Sequence, residues 1–169
     1  MNEERPFESH LEYHVSSSLL ELFREQAEQK IQTEGWGKQG RNVDVKIRNF
    51  VQCWITEEAF KQLLIKDGKW FRYRGLYFGD AAGAGADFTV KIKGKEISVG
   101  LRSISADSLR WGSVAYPDDR YRDEKEKIAD YHIVCTRDEG KVSFWGAISK
   151  VDLLQALGLS TVKYSSQNQ

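Results

Sequence analysis

Residues 86–104, ADFTVKIKGKEISVGLRSI, read as a β-hairpin, and that reading decides the fold of this chain. Phe88, Val90 and Ile92 alternate with Asp87, Thr89 and Lys91, and Ile97, Val99 and Leu101 alternate with Glu96, Ser98, Gly100 and Arg102. A period of two marks strands with one buried and one polar face. Gly94 and Lys95 supply the turn, and a two-residue loop that sets Lys93 against Glu96 places Asp87 opposite Arg102 and Thr89 opposite Gly100. A carboxylate beside a cation on a polar face either holds a metal or phosphate or forms a structural ion pair, and the hairpin alone leaves both open.

Two helices are expected before the hairpin. Ser18 and Glu21 form a capping box ahead of Leu19, Leu20, Leu22, Phe23 and Ala27, which predicts a helix over about 19–33. Gly35, Gly37 and Gly40, with Lys38 and Arg41, make a flexible basic loop around Trp36, and Asn42 caps a second helix over about 43–65. At the helical period, Val51, Trp54, Ile55 and Ile65 of that helix fall within about 80° of Ile47, and Glu58 falls about 20° from it. A carboxylate in the middle of an apolar stripe requires a partner: a metal, a proton, an Arg or a backbone amide. Glu57 lies at the stripe's edge.

Beyond the second helix, residues 70–78 form an aromatic strand, 80–86 a small-residue loop, and 105–117 an irregular segment. Residues 119–129 favour a helix, 131–137 and 141–147 are strands about Asp138-Glu139-Gly140, and Ser149 begins a last helix carrying Val151, Leu153, Leu154 and Leu157. The order is α-α-β-β-β-α-β-β-α. Residues 1–17 read as an arm, 18–163 as one domain and 164–169 as a disordered tail.

The 169 residues, 40% apolar, suit one domain of this size. Lys plus Arg and Asp plus Glu balance at 25 each, so a polyanionic partner has to be held by local basic patches. Cys53 and Cys135 match no zinc spacing, and no apolar run spans a membrane, so the expected protein is reduced, cytoplasmic and without a membrane partner. His10 and His14 lack a third ligand, and the glycines of GDAAGAGAD do not make a phosphate-binding loop.

The element order, the helix Glu and the hairpin Asp together resemble the PD-(D/E)XK nuclease superfamily over about residues 43–147. The resemblance implies an α/β fold with a restriction endonuclease-like core, a mixed central sheet flanked by helices in the order αβββαβ, plus an extra N-terminal helix here. Members carry an Asp at the start of the second core strand, (D/E)-x-K on the third, and often a Glu on the first core helix. By position these become Asp87, Gly100, Arg102 and Glu58; Ser103 meets the usual following Ser or Thr, and WITEEAFKQLL, residues 54–64, looks like the Glu-bearing helix.

The implied activity is that of a divalent-metal-dependent DNA endonuclease of restriction, homing or phage type, acting as a homodimer. Asp87 and Glu58 would bind Mg²⁺ or Mn²⁺. Gly100 supplies no ligand, and Arg102 stays protonated, so with Ser103 it would hold the scissile phosphate without activating water. Arg110, Trp111, Arg120 and Arg122 would line a substrate-facing loop, and Lys69 to Arg74 also interleave bases with aromatics. Asp80 is a substitute acid; Glu96, at the turn, lies about 20 Å from Asp87. The alternatives are a catalytically inactive DNA-binding or protein-assembly module of the same fold, and an interaction domain in which Asp87 is structural.

Overall fold

The computed structural model describes residues 11–34, 42–74, 86–105 and 128–159. Six strands and three helices lie within them: β1 (Leu11–His14), α1 (Ser17–Glu34), α2 (Val43–Lys66), β2 (Phe71–Tyr73), β3 (Phe88–Ile92), β4 (Lys95–Ser105), β5 (Tyr131–Asp138), β6 (Lys141–Ser149) and α3 (Lys150–Leu159). The strands form one mixed sheet in the order β1-β6-β5-β4-β3-β2. Every neighbouring pair is antiparallel except β4 and β5. The chain is therefore a mixed α/β protein.

The hairpin forms, with a register different from the expected one. Its turn is Lys93-Gly94, with Ile92 opposite Lys95, Val90 opposite Ile97 and Phe88 opposite Val99. Lys93 has φ 50° and Gly94 φ 78°, the two consecutive positive values that a two-residue primed turn needs to match the twist of its strands. Moving the turn back one residue slides each partner by two. Faces are preserved, but continuing the ladder one step beyond Phe88 and Val99 sets Asp87 opposite Gly100, not Arg102.

Helix ends follow the side chains that satisfy their first amides. Ser16, not Ser18, caps α1, its hydroxyl accepting from Leu19 N at 3.3 Å. Asn42 caps α2 as expected, accepting from Asp44 N at 2.9 Å, and Ser149 accepts from Asp152 N at 3.1 Å at the start of α3. Residues 11–14 of the expected arm are β1, paired to β6 with Leu11 opposite Phe144. Val15 then donates to Gly140 O at 2.8 Å, and a Cβ on Gly140 would lie 3.0 Å from Val15 O, so a larger residue there would have to push the Val15 backbone back by a few tenths of an ångström. In β6, Val134 and Cys135 face Gly146 and Phe144, leaving Trp145 as the extra residue of a bulge; its indole donates to the Thr136 hydroxyl at 2.7 Å.

The core lies between the sheet and α2, and α1 packs against α2 and adds Phe23 and Ala27 to it. Phe88, fully buried, meets Phe60 edge-on at 4.9 Å and stacks on Tyr73 at 4.7 Å. Trp54, at 2% exposure, turns to the other helix, against Phe23 at 5.9 Å. The expected helix within 119–129, the loop 80–86 and most of 105–117 lie outside the described residues.

The turn assignment is open to test by chemical denaturation. Lys93→Asn relieves left-handed strain and should stabilise the protein by about 0.5–1 kcal/mol, while Gly94→Ala should cost about 1 kcal/mol. A gain from Lys95→Asn instead would mean that the turn lies one residue later.

Candidate functional site

Two polar groupings sit under α2 at the end of the sheet where β2, β4 and β5 finish and β3 begins. The first is built on a carboxylate turned inward. Helix α2 is buried on two sides, so its covered arc is wide and takes in Thr56 and Glu57 as well as Trp54, Ile55, Ala59 and Phe60. Glu57 is 8% exposed, and the Tyr73 hydroxyl donates to its Oε2 at 2.6 Å. Burial first, and then the charge and hydrogen bond of Glu57, push the Tyr73 hydroxyl far above the ordinary tyrosine value; Asp87 and Glu58 add smaller repulsions.

Asp87 completes this grouping from the start of β3. Its Oδ2 accepts from Leu101 N at 2.9 Å, supplying an acceptor where the β3 backbone has left the ladder. Its Oδ1 lies 3.4 Å from Arg74 Nη2, and Arg74 N donates to its carbonyl at 3.2 Å. Both side chains of that ion pair are 22% exposed. The same carboxylate adds to the burial that pushes the Cys135 thiol up to about 12.

The second grouping links α2 to the ends of β4 and β5. The Arg137 guanidinium donates from Nη1 to Ser103 Oγ at 2.5 Å and from Nη2 to Gln52 Oε1 at 2.7 Å. The Thr56 hydroxyl lies 3.1 Å from Ser103 Oγ and 3.0 Å from Gln52 O. Burial lowers the Arg137 pKa, and its nearest acceptors here are neutral oxygens.

The structure separates several residues that the sequence reading grouped. Ser103 faces α2 through Thr56, as do Leu101 and Val99, so the alternation of β4 turns Gly100 and Arg102 to the opposite face. Arg102 is therefore not the partner of Asp87; Arg74 is. Glu58 is not at the centre of the buried arc. Its side chain, 16% exposed, is held along the helix by Gln62 at 2.7 Å and Lys61 at 3.3 Å, and Glu57 takes the more buried position. Ile65, which helped to define the expected stripe, is 53% exposed. Glu96 is at the hairpin end, 3.6 Å from Arg72. Arg110, Trp111, Arg120, Arg122 and Asp80 lie outside the described residues.

The far face at Gly100 is also occupied. A Cβ there would meet His132 Cδ2 at 3.2 Å and Nε2 at 3.3 Å, with Ala129 Cβ at 3.6 Å. His132 is 5% exposed, directly beside Gly100 in the parallel ladder. Ser98, two residues earlier on that face, exchanges hydrogen bonds of 2.9 Å with Asp130, which fixes where β5 begins.

These donors do not fit a Mg²⁺ or Mn²⁺ site at Asp87. One carboxylate oxygen takes a backbone amide, and the other lies against a guanidinium whose charge would repel a dication. Among the described residues, no three His, Cys, Asp or Glu side chains form a metal-binding group.

Gly100→Ala should lower stability by about 1 kcal/mol through overpacking, and that loss should vanish in a His132→Ala background, as read from a double-mutant cycle. The raised Cys135 and Tyr73 values set a pH dependence. Each group binds a proton in the folded state that the unfolded chain has released, so their contribution is intact below about pH 9 and declines as pH rises. Cys135→Ala with Tyr73→Phe should flatten the fall in unfolding free energy above about pH 9; an unchanged slope would show that neither group is responsible.

No protein-family model, curated protein or solved structure matches this chain.

Proposed function

We propose that this chain is a DNA-binding module of nuclease-like architecture that does not cut. The element order supports the architecture: α2 precedes the antiparallel run β2-β3-β4, β5 lies parallel to β4, and Asp87 stands at the start of β3. One observation carries the non-catalytic reading. Gly100, the residue that the register sets opposite Asp87, has its side-chain space filled by the buried ring of His132. A side chain at that position would have to push back the His132 ring, and the Asp87 carboxylate already faces the Arg74 guanidinium at 3.4 Å.

A metal-dependent endonuclease, with Asp87 and Glu58 as ligands, Arg102 on the phosphate and a homodimer for double-strand cutting, is the competing reading from the resemblance. The engagement of Glu58 by Lys61 and Gln62, and of Arg102 with the other face of β4, weighs against it. Arg110, Trp111, Arg120 and Arg122 belong to the proposed DNA contacts in either case.

Purified protein should bind DNA in a salt-sensitive way and leave supercoiled and linear DNA intact in Mg²⁺, Mn²⁺ or EDTA. Metal-dependent cleavage that disappears in Asp87→Ala would overturn this reading in favour of the nuclease. Neither cutting nor binding would leave protein assembly as the role of the fold.

A further inference from the structure

The end of the sheet away from Asp87 carries a different chemistry. The Lys93-Gly94 turn, the start of β2 and the end of α2 meet there. Among the described residues this end holds six cations, Lys66, Lys69, Arg72, Lys91, Lys93 and Lys95, against two acids, Asp67 and Glu96, a local excess of four positive charges in a chain of net charge zero. The two acids lie beside Lys69 at 3.8 Å and Arg72 at 3.6 Å, contacts between exposed groups that hold little energy. All three hairpin lysines are exposed. Repulsion among such charges is a cost that a polyanion relieves.

An aromatic ring stands within this basic end. Trp70 is 46% exposed, unusual for an indole that could have joined the core beside Phe71. The backbone holds it in place: Lys91 N donates to Trp70 O at 3.2 Å, continuing the β2–β3 ladder, and Lys91 Nζ lies 4.8 Å from the ring centroid. A half-exposed indole with one ammonium group over its ring and further exposed lysines at the same hairpin end offers two things at once. The ring stacks a base, and the ammonium groups pair with the phosphates on either side of it. A base inside a duplex is not available for stacking, which favours an unpaired strand.

We infer that the hairpin end, through Trp70, Lys91, Lys93 and Lys95, binds single-stranded nucleic acid. This deepens the DNA-binding reading and rests on it, while moving the contact about 15 Å along β3 from Asp87. It uses none of Arg102, Arg110, Trp111, Arg120 or Arg122.

Fluorescence anisotropy with a labelled oligo-dT of about a dozen nucleotides, a matching duplex, and vesicles containing phosphatidylserine tests the inference. Charge reversal of Lys91, Lys93 and Lys95 to Glu should weaken oligo-dT binding by more than tenfold. Lys→Arg at the same three positions should retain binding, and loss of three phosphate contacts should reduce the salt slope by about 2. Trp70→Ala should weaken oligo-dT binding by roughly 5- to 100-fold and leave any duplex binding unchanged. All these side chains are exposed, so circular dichroism and unfolding midpoints should match those of the parent chain. Oligo-dT binding unaffected by the charge reversal would overturn the inference and leave DNA binding through another surface standing. Binding to vesicles but to no nucleic acid would overturn both readings in favour of a membrane surface, and binding to none of the three would overturn both as well.

Discussion

The handedness of two backbone positions sets where everything else in this protein falls. Lys93 and Gly94 both adopt positive φ, and a two-residue turn with that geometry permits one register for β3 against β4. The register delivers Phe88 to Phe60 and Tyr73, and it delivers the Asp87 carboxylate to the amide of Leu101. On its other side, β4 pairs in parallel with β5, and that separate register sets Gly100, with no side chain, against His132. A shift of the turn by one residue would keep every face and change every neighbour.

The polar residues under α2 are tolerable because each has been matched. A buried carboxylate costs several kcal/mol when unpaired, roughly what a small domain has to spare, so Glu57 could not sit at 8% exposure without donors such as the Tyr73 hydroxyl. Arg137 illustrates the complementary arrangement, a guanidinium fork held by an amide and a hydroxyl from two different elements. Such bonds tie α2 to β2, β4 and β5 with directional contacts, whereas the aromatic cluster around Phe88 and Trp54 provides most of the apolar burial.

The strands were legible in the sequence because their alternation is regular: β3, β4, β5 and β6 lie where the pattern puts them, and Asn42 announces α2. The register was not, since Gly-Lys and Lys-Gly turns differ by one residue and only the backbone conformation of Lys93 distinguishes them. Glu57 reads as an edge residue in the sequence for a different reason. A single-stripe projection assumes a helix with one packing partner, and α2 is packed by both α1 and the sheet. β1 was missed because four residues within a charged segment give alternation too little length to be distinctive.

The bulge at Trp145 has a bearing on solubility. Strand β6 is nine residues long, and β1 pairs only with its first four, from Lys141 to Phe144. An unpaired, flat strand edge is a template onto which another chain can add. The extra residue falls at the point where the β1 cover ends, and a bulge bends its strand and increases the local twist there. Exposed Gly146 and Ala147, which follow, offer little side chain for an incoming strand to grip. Among the described residues the two halves of β6 thus differ, the first paired with β1 and the second set off from a flat edge by the bulge.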